Sequence, residues 1–169
     1  MSEPFRRLLT DIKFAIKIDL RDGYYHIPLS PAASDYFGVL FQNRTHVFRK
    51  LPMGLCIAAH EMQWFACATV KIIERRFPGV IGMAYLDDFL FMARCAADLS
   101  GVAEFLVSAG FQLNFSKSLL CHVSSLTYFG IDVGLGAACT HVVPGTLRQL
   151  RAALYVCFRR CHLSMAQRP

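Results

Sequence analysis

The chain has 169 residues, of which 54% are hydrophobic, and 18 Lys+Arg stand against 12 Asp+Glu for a net charge of +6. That length suits one domain with a real core, and charged or polar residues cut every apolar run short of the roughly 18 residues a spanning helix needs, so no membrane span is expected. The positive balance favours a polyanionic partner.

The start, Met1 to Arg7, lacks the apolar stretch of a signal peptide. The seven cysteines are scattered and odd in number, with no Cys-x-x-Cys pair. They read as inert thiols of a reducing compartment. An intracellular protein, cytoplasmic or nuclear and not secreted, is therefore expected.

Phe14 to Leu20 is rich in β-branched and aromatic residues and predicts a strand ending near Asp19. Asp22-Gly23 turns the chain, and Tyr24 to Leu29 follows as an amphipathic stretch. Ser30 caps a short helix with Pro31 in its first turn. Phe37–Phe41 and Thr45–Phe48 flank Gln42-Asn43-Arg44 as a hairpin. Leu51-Pro52-Met53-Gly54 then breaks the pattern.

Residues 57–77 carry Met62, Phe65, Ala66, Val70, Ile73 and Phe77 at helical spacing and predict the clearest helix, ended by Pro78-Gly79. Two apolar runs, Val80–Ala84 and Phe89–Ala93, enclose Tyr85-Leu86-Asp87-Asp88 as a hairpin with two carboxylates at its turn. A second helix is predicted with Asp98 as cap, Leu99, Val102 and Leu106 as its stripe, and Gly110 closing it. Phe111–Asn114, Ser118–Cys121 and Leu126–Val133 predict short strands. After Pro144-Gly145 a helix is predicted, apolar on one face. From Arg148 to Pro169 the chain holds five arginines (148, 151, 159, 160, 168) and no acid.

With the hairpin near 37–48 set aside, the order is strand, helix, strand, strand, helix, strand. That is an α+β, ferredoxin-like split βαβ arrangement. It places the first strand beside the Asp87-Asp88 hairpin, so that Asp19 joins the two acids at one sheet edge. Like charges in such proximity repel and lose hydration. Bound cations offset that cost, and two cations about 3.5–4 Å apart can clamp both oxygens of a phosphoryl transfer.

These residues resemble the palm region of a reverse transcriptase. Asp19-Leu20-Arg21-Asp22-Gly23-Tyr24-Tyr25 is similar to that family's first catalytic motif. Leu51-Pro52-Met53-Gly54 resembles the second, and Tyr85-Leu86-Asp87-Asp88 the third. Gly110-Phe111 with Lys117 resembles the fourth, and Tyr128-Phe129-Gly130 the primer grip. The motifs fall in family order across residues 11–135. Tyr25-His26-Ile27-Pro28-Leu29 and Phe48-Arg49-Lys50-Leu51-Pro52-Met53-Gly54 look most like hepadnavirus-type polymerases and tyrosine-recombinase retroelements. The close spacing of these two segments leans toward a retroelement.

The resemblance implies RNA-directed DNA synthesis by a polymerase palm whose antiparallel sheet has helices on one face. Residues 1–143 are expected to form the palm with a partial fingers hairpin at about 36–50. Residues 144–169 are expected to be a basic helix at the start of a thumb or connection region. Asp19, Asp87 and Asp88 are implied as metal ligands for two Mg²⁺ ions, with Mn²⁺ as an alternative. Leu20, Arg21, Asp22, Gly23, Tyr24, Met53 and Gly54 are implied to bind substrate, with Leu51 to Gly54 forming the loop under the templating base. Tyr24 would serve as a steric gate against a 2′-hydroxyl. Lys117 either protonates departing pyrophosphate or is a solvated loop lysine. The implied partners are an RNA or DNA template with its primer, deoxynucleoside triphosphates and the remainder of a retroelement polyprotein. Little of the family's fingers, thumb or ribonuclease H has a counterpart here, so a fragment is expected. The alternative is a non-catalytic remnant that keeps the fold and weak nucleic-acid binding.

Overall fold

A computed structural model describes residues 11–128, 131–135 and 140–142. The basic helix expected over 144–169 lies outside the described residues. The centre of the molecule is a four-stranded antiparallel sheet ordered β4-β5-β1-β6. Its strands are β1 (Phe14–Asp19), β4 (Val80–Tyr85), β5 (Asp88–Ala93) and β6 (Leu119–Val123). Helix α2 (Ala58–Arg76) links β1 to β4, and α3 (Ala96–Leu99) with α4 (Val102–Ser108) links β5 to β6. The split βαβ topology read from the sequence is the one observed.

Strand alternation sorts the side chains between two faces. On one face Ile16, Ile18, Phe89 and Phe91 pack with Met62, Ala66, Val70 and Ile73 of α2 and with Val102 and Leu106 of α4. Ala15, Leu90 and Met92 point to the other face and meet Leu126, Tyr128 and Leu135. That second face is where Asp19 also points. Phe89 and Phe91 are fully buried and stack with centroids 5.9 Å apart. At Gly82 on β4 a methyl group would lie 2.7 Å from Val70 Cγ1, so glycine lets α2 approach the sheet.

Three local readings differ from the sequence expectation. The second helix is broken at Ser100-Gly101, where Gly101 has φ +84°, so Asp98 lies inside the short α3 and caps nothing. Phe111–Asn114 is not a strand: only Leu113 bridges to Leu20. The run 126–133 is two strands, β7 (Ser125–Tyr128) and β8 (Ile131–Gly134), paired so that Tyr128 meets Ile131. Strand β9 (Thr140–Val142) joins them in a second sheet.

The short helix α1 (Pro31–Ser34) starts as expected, with the Ala33 N–H donating to Ser30 Oγ at 3.2 Å. Hairpin β2 (Gly38–Phe41) and β3 (Arg44–Val47) turns on Gln42 and Asn43, both at positive φ. Arg44 is therefore a strand residue paired with Phe41, not part of the loop. Every residue of both strands is exposed.

Candidate active site

Register decides the site. Across β1 and β5 the pairs run from Phe14↔Ala93 to Asp19↔Asp88, so the last residue of β1 faces the first of β5. The hairpin itself pairs Tyr85 with Asp88, which leaves Leu86 and Asp87 as a two-residue turn. Asp88 is thus a strand residue, not a turn residue as the sequence suggested. The Leu20 N–H donates to the Asp87 carbonyl at 2.9 Å and holds the turn against the end of β1. Gly23 closes the other side: a methyl there would sit 2.6 Å from Asp87 Cβ. Only glycine admits this approach without displacement.

Asp19 is 9% exposed. Burial pushes its carboxyl above the usual range; nearby Lys117 opposes the rise, Asp88 and Asp87 add to it, and a hydrogen bond from Asn114 opposes it again. Its backbone is pinned on both sides of the peptide. The Asp19 N–H donates to Ser118 Oγ at 3.0 Å, and its carbonyl accepts the Asn114 N–H at 2.8 Å. The loop 114–118 is thereby drawn in with Lys117, which is exposed.

The Asp88 carboxylate is a different case. Lys17 Nζ lies 3.2 Å from its Oδ1, each side chain a quarter exposed, and that oxygen is buried without a hydrogen bond of proper geometry. The Asp88 carbonyl accepts from the Tyr128 hydroxyl at 3.2 Å. Tyr128 is therefore tied to the carboxylate strand; Phe129 and Gly130 of the same motif lie outside the described residues.

Tyr24 lies in a 3₁₀ turn, Gly23–His26, entered through Asp22 at φ 53°. Its phenol pKa is raised by burial, then by the charges of Asp87 and Tyr85. Proximity to Asp87 puts Tyr24 at the carboxylates, and its hydroxyl stays protonated at neutral pH. Leu20 is 2% exposed and packs in the core, so only its backbone takes part in the site. Met53 and Gly54 stand in an exposed turn, with Gly54 at φ +91°. That turn is tied to the stretch after Tyr24 by the Leu51 N–H donating to the Ile27 carbonyl at 2.9 Å.

Further contacts build the site, and Gln63 among their residues stands in none of the motifs. Gln63 on α2 accepts the Leu86 N–H at 2.9 Å and donates to the Ala84 carbonyl at 3.0 Å. It brackets the turn in which Leu86 adopts φ 55°, a conformation that costs about 1–2 kcal/mol for a residue with a Cβ. His26 receives the Gln112 N–H on Nε2 at 2.9 Å, and its Nδ1, 3.1 Å from the Gly23 carbonyl, is the donor nitrogen that this pairing leaves. Its ring stacks on Phe111, which stacks on Phe65, with centroids 5.6 Å apart in both cases. Arg21, Arg49 and Lys50 line a cavity of about 640 Å³ with Asp22, Tyr25 and His26. This is a basic recess beside the turn that carries Tyr24.

Chemically, carboxylate oxygens are hard donors suited to Mg²⁺ or Mn²⁺, and one of them, Asp88 Oδ1, is buried without a hydrogen bond. The donor type fits a divalent ion. Among the described residues, however, no three His, Cys, Asp or Glu side chains already converge as a ready ion cage. Nor is any helix among them long and apolar enough to cross a membrane.

Residues 6–133 match the family model described as reverse transcriptase (RNA-dependent DNA polymerase). Protein P of Duck hepatitis B virus (strain United States/DHBV-16) is 33% identical over 132 residues, 76% of this chain and 16% of that protein. Protein P of Heron hepatitis B virus is 32% identical over the same length, 76% of this chain and 17% of its own. These relatives lie on the hepadnaviral side of the two groups that the motifs resemble. The chain thus spans about a sixth of the length of these relatives.

Among solved structures, a foamy viral protease-reverse transcriptase in complex with RNA/DNA hybrid superposes with a TM-score of 0.61 at 21% identity. The match covers 86% of this chain and 20% of that one. A second, in complex with dsDNA, gives 0.61 at 20% identity and covers 94% of this chain and 35% of that one. They establish the fold as that of a reverse transcriptase palm. The reverse transcriptase family works with divalent metal ions.

Proposed function

Because the chain belongs to the reverse transcriptase family, we propose that it carries the polymerase centre of an RNA-directed DNA polymerase, adding deoxynucleotides to a primer 3′-hydroxyl. The observation that supports this reading most is the pairing of Asp19 with Asp88 across two strands, with Asp87 in the adjoining turn. Mg²⁺, as two ions, is the proposed cofactor, with Mn²⁺ as an alternative; when bound, the ions lower the pKa of the primer hydroxyl and offset charge on the α-phosphate.

Asp19 and Asp87 are the proposed principal ligands, with Asp88 at the same edge. Tyr24, held beside Asp87, closes the space under the sugar and rejects a 2′-hydroxyl by contact. Arg21, Arg49 and Lys50 give the recess next to Gly23 the charge to receive a polyphosphate tail. Lys117, whose charge acts on Asp19, is the proposed donor of a proton to departing pyrophosphate. The exposed turn at Met53 and Gly54 offers a surface for the templating base. Tyr128, with Phe129 and Gly130, would hold the primer end. The template and primer are the proposed nucleic-acid partners, and the whole protein is a longer polymerase polyprotein.

The test is a graft. Residues 11–135 replace the matching segment of the duck viral Protein P, and incorporation of single deoxynucleotides on an RNA template is measured. Ion-dependent incorporation that Asp87→Asn removes almost entirely, with primer-template binding retained, is the expected result. A graft that folds and binds primer-template yet incorporates nothing would favour the non-catalytic remnant.

A further inference from the structure

We propose that Lys17 is a resident counter-cation of the carboxylate cluster, one that keeps Asp88 as its own partner and leaves first capture of a divalent ion to Asp19 and Asp87. The inference rests on the reading that these carboxylates bind such ions, and deepens it.

Lysine is out of place where Lys17 stands. It lies in β1, which is hydrogen-bonded on both edges, to β5 and to β6. On its face of the sheet its neighbours Ala15, Leu90 and Met92 are buried and apolar. A charged group there needs a partner. The register supplies one: Lys17 sits opposite Leu90, so Asp88, two residues along β5, is its diagonal neighbour on the same face. The resulting contact is 3.2 Å, and Asp88 Oδ1 has no hydrogen bond to compete with it.

One further fact fits this assignment. The hydroxyl of Tyr128 holds the Asp88 carbonyl at 3.2 Å and anchors the residue beside the lysine. An ammonium and a divalent ion repel one another and cannot both occupy the same carboxylate oxygen closely. Lys17 holds Oδ1, so an ion that takes Asp88 through Oδ1 must displace the ammonium and one that takes it through Oδ2 must sit near a positive charge; in both cases Lys17 raises the ion concentration at which the centre fills.

The probe is Mn²⁺ alone, its free concentration read by electron paramagnetic resonance against the full 169-residue chain. Lys17→Met keeps the apolar stem and removes the charge. It should tighten Mn²⁺ binding about fivefold or more, while Lys17→Arg should stay within about twofold of the unaltered chain. In an Asp88→Asn background the Lys17→Met change should lose most of its effect, because the contested carboxylate is gone. If Lys17→Met does not fold, as judged by its thermal transition, Lys17→Gln takes its place. Unchanged or weaker binding on loss of the charge overturns the proposal, as does equal tightening in both backgrounds. Binding that persists but ignores Lys17 sinks only this inference. A chain in which neither the unaltered protein nor any variant binds Mn²⁺ sinks the carboxylate reading as well.

Discussion

Asp19 shows how a single residue can serve a site at the expense of the fold. Its pKa is raised in the folded chain, chiefly by burial, with Asp88 and Asp87 outweighed in order only by the opposing Lys117. The folded state therefore holds this proton more tightly than the unfolded chain does. The stability that follows is present below about pH 4 and is lost as pH rises through the raised value. At neutral pH an ionised Asp19 opposes folding. Asp19→Asn should then raise the thermal midpoint, by about 2–4 °C for each kcal/mol regained. The gap over the unaltered chain should widen as pH climbs from about 4 to 7. A midpoint lowered at pH 7 would contradict this. Tyr24 is the second case. Tyr24→Val in the grafted protein should raise ribonucleotide incorporation about tenfold or more relative to deoxynucleotides. Unchanged discrimination in single-nucleotide incorporation would remove Tyr24 as the gate.

At the scale of elements, the hairpin β4–β5 depends on α2. The two bonds from Gln63 satisfy an edge-strand carbonyl and the N–H of a strained turn residue. Gln63→Leu removes both bonds, and loss of the partner of the Leu86 N–H costs roughly 1–3 kcal/mol. The Leu86 amide should then exchange with solvent much faster than in the unaltered chain, and protection equal to the original would refute the clamp. Gln63→Glu should keep the Leu86 bond and lose the one to Ala84.

The sequence was legible where chemistry and local pattern coincide. Asp19, Asp87 and Asp88 stand in motifs, and strand-helix-strand periodicity foretold the sheet that joins them. The roles of Gln63 and Lys17 and the contact of the motif residue His26 were not legible because their partners, Leu86, Asp88 and Gln112, are distant in sequence and only packing brings them near. The breaks at Ser100-Gly101 and after Tyr128 escaped for another reason: apolar spacing continues across both, and periodicity alone does not register a turn.

For the whole molecule, the described residues form a well-packed four-stranded sheet with helices on one face, a second sheet of three strands and an outlying hairpin. Tyr36 is 84% and Leu40 75% exposed in or beside that hairpin, and neither strand buries a face. A two-stranded hairpin without a covered face is marginal in water. Amide exchange in β2 and β3 should therefore be near that of free loops, while β1 and β5 exchange only on global unfolding. Comparable protection in the two regions would show that the hairpin has support of its own. The central claim, however, concerns the edge of the sheet, where Asp19 pairs with Asp88 and Asp87 stands in the adjoining turn. Crystals of the chain soaked in Mn²⁺ and measured for anomalous scattering test it most directly. The account expects an anomalous peak bonded to carboxylate oxygens of both Asp19 and Asp87, absent from Asp87→Asn crystals. Saturating Mn²⁺ with no peak at either carboxylate would contradict it.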